Sequence, residues 1–228
     1  MTASKIVAAA ASGVDTGDPV DITNAFSIDL WNGNQTVRQI ETGLAIGNSF
    51  TGGSGSFHPK KADAYNTGDN DSTRVEVATS SNFDFGTGDF TIEAFIFLDK
   101  QKSFNNVYDQ RTSSQNANTN SPIIYIDNSN YIYYYVGGNN RITSSAISLG
   151  VWYHVAVTRA SGSTKLFIDG TQSGSTYSDS LTYVQPASNF SFGGSLAQNT
   201  YNFSGHISNL RVVKGTAVYT SNFTKPTS

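Results

Sequence analysis

Phe90-Thr91-Ile92-Glu93-Ala94-Phe95-Ile96-Phe97 is the stretch whose reading decides the fold. In an extended chain successive side chains point to opposite faces. Phe90, Ile92, Ala94 and Ile96 then share one face, and Phe95 and Phe97 the other. A strand that is apolar on both phases needs two covers. One is an opposing sheet; the other is a loop, a second layer or a partner. Working outward, strand-like runs recur at 74–78, 90–98, 106–110, 123–127, 131–136, 141–144, 152–159, 165–168, 189–193 and 205–213. Turn chemistry separates them. Asp127-Asn128-Ser129-Asn130 and Ala160-Ser161-Gly162-Ser163 join neighbouring runs, and Asp169-Gly170 supplies the positive φ values of a tight hairpin turn. Many short strands with turns between them predict an all-β, two-sheet antiparallel jelly-roll sandwich. Trp152 is expected to plug one end of it, while Gly205 and Gly215 are expected at close approaches or bulges.

Composition bounds the rest. The chain has 228 residues, 12 Tyr, 14 Phe and a single Met, which favours strands over long helices. It has no Cys, so a disulfide framework and a thiolate metal site are excluded. The net charge is −3 and no basic run exists, so nucleic acid is not an expected partner. No apolar stretch approaches the roughly 18 residues of a spanning helix, so membrane insertion is not expected.

Residues 1–48 read as an N-terminal anchoring arm and β-hairpin, and residues 49–228 as the sandwich. The Ala-rich start, Met1 to Ala11, is read as a retained arm; about ten residues are too few to be helical alone in water. Residues 25–31 and 36–40 form the expected hairpin around Gly33-Asn34, which is marginal by itself and needs a neighbour. A Gly-, Ser- and Asp-rich stretch at 49–72 flanks a first sandwich strand expected near 56–60.

Three runs carry a resemblance. Phe83-Asp84-Phe85-Gly86-Thr87-Gly88-Asp89-Phe90 through Ile96 resembles the opening strand of laminin-G-like domains of the concanavalin A-like lectin/glucanase superfamily. Trp152-Tyr153-His154-Val155-Ala156-Val157-Thr158-Arg159 with Leu166-Phe167-Ile168-Asp169-Gly170 resembles that family's central hairpin, and Phe203 to Tyr219 its closing strand. The closing run Arg211-Val212-Val213-Lys214-Gly215-Thr216-Ala217-Val218-Tyr219 is also similar to phage and marine-virus structural proteins. The start Ala3-Ser4-Lys5-Ile6-Val7-Ala8-Ala9-Ala10 is similar to cyanophage virion proteins. This second resemblance implies a virion structural protein, assembled in the host cytoplasm. It would be a capsid decoration, knob or tail-fibre component, held to other virion proteins through residues 1–45.

Glucanases of the superfamily use paired carboxylates on one strand, and a glycosidic bond needs two such groups about 5–10 Å apart. This chain has only Glu41, Glu76 and Glu93 as glutamates, none with a carboxylate two residues on. No catalytic residue is therefore assigned, and the chain is expected not to be an enzyme. His154 and Glu93 fall where the family has structural residues. Ca²⁺, which collects six to eight oxygens, is the one cofactor the sequence allows, with Asp69, Asp71, Asp127 and Asn128 as candidate ligands. Those residues equally serve ordinary turns. Tyr131, Tyr133 and Tyr135, near Asn139 and Asn140, form the candidate recognition surface. It would stack on host glycans, or pack on a second copy in a homo-oligomer.

Overall fold

The computed structural model describes residues 79, 81–112, 114, 118–184, 186–198 and 200–226, with strand segments 25–30, 37–39, 50–51, 65–66 and 74–77. In chain order the strands are β1 (Ala25–Leu30), β2 (Val37–Gln39), β3 (Phe50–Thr51), β4 (Tyr65–Asn66), β5 (Arg74–Val77), β6 (Phe90–Leu98), β7 (Asn105–Asp109) and β8 (Ile123–Ile126). There follow β9 (Tyr131–Val136), β10 (Asn139–Ala146), β11 (Trp152–Ala160), β12 (Ser163–Ile168), β13 (Thr171–Gln172), β14 (Tyr177–Ser178), β15 (Phe190–Phe192) and β16 (Gly205–Lys214). Every strand expected from residue 74 onward is present, its ends shifted by at most two residues.

The strands form two antiparallel sheets. The larger runs β13-β12-β11-β6-β16-β1-β2, with β14 paired to β12 and β4 to β16; the smaller runs β10-β9-β8-β7-β15-β5-β3. The expected hairpin of the N-terminal segment is there: β1 pairs with β2, and β1 also pairs with β16, so the hairpin extends the larger sheet of its own chain. The strand expected near 56–60, and residues 1–24 of the arm, lie outside the described residues.

Alternation sets the core. Phe90, Ile92, Ala94, Ile96 and Leu98 of β6 turn inward with Val155 and Val157 of β11. They meet Ile124 and Ile126 of β8 and Ile132, Tyr134 and Val136 of β9 from the other sheet. Burying each such aliphatic or aromatic side chain contributes about 1.5–3 kcal/mol. Register is fixed by the turns. Asp169 (φ 49°) and Gly170 (φ 79°) form the two-residue turn expected of them, pairing Ile168 with Thr171. Asn128, Ser129 and left-handed Asn130 (φ 65°) make a three-residue loop that pairs Tyr125 with Tyr133.

One cover of the larger sheet's outer face comes from the chain itself. Residues 215–226 cross it: Val218 N donates to Thr91 Oγ1 (2.9 Å), Thr158 Oγ1 to the Tyr219 carbonyl (2.7 Å), and Phe223 N to the Gly170 carbonyl (2.9 Å). Tyr219 and Phe223 stack at 3.6 Å, and Phe223 meets the Phe167 and His154 rings edge-on. Trp152 does not plug the sandwich end as expected. It pairs with Phe97 on this outer face, because its strand neighbour Tyr153 takes the inward phase.

Candidate functional site

The glutamate that opens any search for catalysis sits under that crossing segment. Glu93 is buried, accepting hydrogen bonds from Arg211 and from His154 Nε2 (2.9 Å). Burial alone would raise its pKa. The His154 hydrogen bond and the Arg211 charge outweigh burial and hold it at about 2. Glu76 pairs with Arg74 at 3.2 Å. At one end of the core Asp179 accepts from Arg159 Nε (3.1 Å), Thr164 Oγ1 (2.7 Å) and Tyr183 Oη (2.6 Å). A carboxylate only accepts, so Tyr183 donates to it and Tyr134 Oη in turn donates to Tyr183 (2.6 Å). Burial pushes both phenols well above their ordinary pKa, so they stay protonated.

The outer face of the smaller sheet is different. Because β9 alternates, Ile132, Tyr134 and Val136 are buried in the core while Tyr131, Tyr133 and Tyr135 face outward. Tyr125 of β8, opposite Tyr133, stacks on it at 4.9 Å and 15°. The aromatic row continues through Phe104 (5.4 Å from Tyr125) to Tyr201 (4.2 Å from Phe104). Tyr125 therefore takes up one face of the Tyr133 ring. The cross-strand partner of Tyr133 on the edge strand β10 is Thr143, small and exposed. Tyr133 and Thr143 thus lie side by side on this outer face, a tyrosine wall beside a small polar residue that together make a shelf.

Polar groups border this shelf. Asn140 Oδ1 accepts from Tyr125 Oη (3.0 Å), which leaves its amide nitrogen toward solvent. Asp127 Oδ2 accepts from Tyr133 Oη (3.1 Å), and Asp127 Oδ1 from the backbone of Ser129 (2.9 Å) and Tyr131 (3.0 Å). Desolvation and the bond to Asp127 both raise the Tyr133 pKa, so it too remains a neutral phenol. Toward the middle of the sheet lies a buried ion pair. Arg111 Nε and Nη2 reach Asp109 Oδ1 (2.9 Å) and Oδ2 (2.7 Å), and Asn106 Nδ2 adds a bond to Oδ2 (3.0 Å). Burial disfavours the guanidinium charge, but the Asp109 hydrogen bond and charge outweigh it and raise the Arg111 pKa. The free edge of β10 is itself blunted: Ser145 N donates to Ser173 Oγ (2.8 Å).

Of the recognition residues read from sequence, the structure brings Tyr131, Tyr133, Tyr135 and Asn140 onto one face. Asn139 pairs with inward-facing Val136 and bonds the Gly137 carbonyl, so it lies on the other phase. Among the candidate calcium ligands, Asp127 caps its turn and Asn128 is exposed beside it; Asp69 and Asp71 lie outside the described residues. Among the described residues no cluster of three or more His, Asp or Glu side chains is placed to hold a metal ion. Sequence reasoning missed Tyr125, Thr143 and the Asp109–Arg111 pair. Counting the Asn128–Asn130 loop as three residues would have placed Tyr125 against Tyr133.

Family comparison matches residues 68–217, the segment that carries both sheets' central strands, to a laminin-G-type profile. The chain belongs to the concanavalin A-like lectin/glucanases superfamily. Solved structures of similar fold include a Trypanosoma rangeli sialidase with 2,3-difluorosialic acid (TM-score 0.65, 12% identity, 95% of this chain and 36% of that one). A further structure of T. rangeli sialidase, in complex with the inhibitor DANA, gives a TM-score of 0.61 at 12% identity over 85% of this chain and 31% of that one. Botulinum neurotoxin type C, whose cell entry depends on two ganglioside molecules, gives 0.58 at 17% identity over 87% of this chain and 50% of that one. The lectin-like domain described here thus spans about a third of the sialidase chains and half of the toxin chain, and the likeness is one of fold. No curated protein matches it in sequence.

Proposed function

We propose that this lectin-like domain is a non-catalytic carbohydrate-binding module, with the Tyr133–Thr143 shelf as its sugar site. One observation carries the reading. Tyr133 is stacked by Tyr125 and stands beside small, exposed Thr143 at the sheet edge. A pyranose has an apolar C–H face and a rim of hydroxyls; the first suits an aromatic wall and the second suits Asn140 and Asp127. Stacking on a fixed ring costs little conformational entropy, which is why rigid aromatics serve binding surfaces well. The engagement of Glu93 by His154 and Arg211, under the 215–226 segment, supports a role without glycoside hydrolysis. A glycan array probed with the folded protein, followed by titration of the best binder, tests the assignment. Tyr133→Ala is expected to weaken that binding at least about fivefold, since aromatic stacking on a ligand contributes about 1–3 kcal/mol. Binding that survives Tyr133→Ala unchanged removes the shelf from consideration.

The closing run from Arg211 to Tyr219, with its likeness to virion structural proteins, favours a second reading of where such a module is carried. It would be displayed on a phage particle, with residues 1–45 contacting other virion proteins and copies of the chain associating with one another. Cross-linking of intact particles, with the neighbours of residues 1–45 identified, tests this; finding the chain absent from purified particles rules it out.

A further inference from the structure

The structurally similar proteins include a sialidase and a toxin whose cell entry depends on two ganglioside molecules, which makes an acidic sugar the obvious ligand to try. The charges around the shelf point the other way. We infer that the shelf takes a neutral hexose and discriminates against sialic acid, uronates and other carboxylated or sulfated sugars; this rests on the sugar-site reading of Tyr133. A sugar carboxylate is held most strongly by a cation with uncommitted donors, and Arg is suited to it by its bidentate fork. Among the described residues, Arg74 of β5 and Arg111 share this outer face: Arg74 pairs with Glu76 four strands away from β9, and the fork of Arg111 is closed on Asp109 through Nε and Nη2. The pair is buried and its charges cancel. Arg141, next to Asn140 in sequence, turns to the rim. Its Nε and Nη2 donate to the Val136 and Gly137 carbonyls (3.1 and 3.4 Å), and its guanidinium lies over the Tyr177 ring. Lys100 and Lys102, in the loop before Phe104, each already have an interaction partner.

The charge that does touch the wall is negative. Asp127 bonds the Tyr133 hydroxyl directly and is only half-buried. Its hydrogen bonds from Ser129, Tyr131 and Tyr133 orient the carboxylate without neutralising it. A sugar seated on the Tyr133 ring brings its rim within a few ångströms of that carboxylate. A second carboxylate there meets like-charge repulsion of about 1 kcal/mol at high effective dielectric, which corresponds to roughly fivefold to tenfold in affinity.

The test uses the full chain and matched probes: N-acetyllactosamine against its α2,3-sialylated form, and cellobiose against the corresponding uronate. Expected is binding of at least one neutral member, with its acidic counterpart weaker by roughly fivefold to tenfold. The gap should narrow in 0.5 M NaCl and in Asp127→Asn, which keeps the size and an acceptor for the turn. An acidic member that binds as well as or better than its neutral partner overturns the inference while leaving the sugar site standing. A gap that persists in both high salt and Asp127→Asn overturns the electrostatic cause. Folded protein that binds neither member of any pair, nor any neutral glycan on the array, overturns the sugar-site reading itself and this inference with it.

Discussion

Replacing Glu93 with Gln removes one charge from a buried cluster and leaves the shape nearly intact. Glu93 faces Arg211 and His154 beneath the Tyr219–Phe223 stack, and its pKa falls from 4.5 to about 2 on folding. At about 1.4 kcal/mol per pH unit, the ionised carboxylate contributes about 3 kcal/mol to stability at neutral pH. The pKa is lower in the folded chain than in the unfolded one. The contribution is therefore present in full above pH 4.5 and is lost as pH falls through about 2. At pH 3 about 1 kcal/mol of it remains. Gln stands in for the protonated acid at every pH. Urea titrations of the natural chain and Glu93→Gln, followed by tryptophan fluorescence, should then differ by about 3 kcal/mol at pH 7 and by about 1 kcal/mol at pH 3. A difference that stays constant between the two pH values would mean that shape, and not ionisation, makes Glu93 matter. A difference below 1 kcal/mol at pH 7 would mean that the burial of three polar groups offsets their attraction.

Gly205 opens β16 at φ 151°, and a Cβ there would lie 2.0 Å from the Phe97 carbonyl oxygen. Gly205→Ala should cost about 2–4 kcal/mol and lower the melting temperature by roughly 6–12 °C, and a change of less than 2 °C by calorimetry would contradict the close approach. Tyr183→Phe strips the donor from Asp179 and the acceptor from Tyr134 while keeping the ring, so a loss of about 1–3 kcal/mol is expected in urea; no loss would mean that the network re-forms without it.

Much of this architecture was legible from residue order because alternation and turn chemistry agree. The two apolar phases of β6 called for two covers, and the structure supplies one as the opposing sheet and part of the other as residues 215–226. Asp169-Gly170 announced its turn. What could not be read was which phase would win where both are apolar. Trp152 has the bulk of a core residue, yet Tyr153, Val155 and Val157 take the inward positions and leave it outside with Phe97. The site was half visible. The alternation of Tyr131, Tyr133 and Tyr135 with Ile132, Tyr134 and Val136 marked an outward tyrosine face. Its decisive feature, that Tyr125 occupies one side of Tyr133 and Thr143 lies at the other, depends on cross-strand register. Register followed from a left-handed Asn130 and from bulges in β10, which no residue pattern spelled out.

The outer faces of the two sheets have opposite fates, and this separates stability from recognition. On the larger sheet, the chain's own residues 215–226 lie across β6, β11 and β12, and the charged groups beneath them close on one another. Glu93 is paired with His154 and Arg211, covered, and held ionised by them, the opposite of the raised pKa that a general acid needs. On the smaller sheet, Asp109 and Arg111 likewise neutralise each other, so the buried middle of that face carries no net charge from this pair. What faces solvent there is an aromatic wall fixed from behind by a second ring, with an amide and one carboxylate at its edge. The rigidity and mixed polarity of this surface support the proposed weak, reversible binding of a sugar.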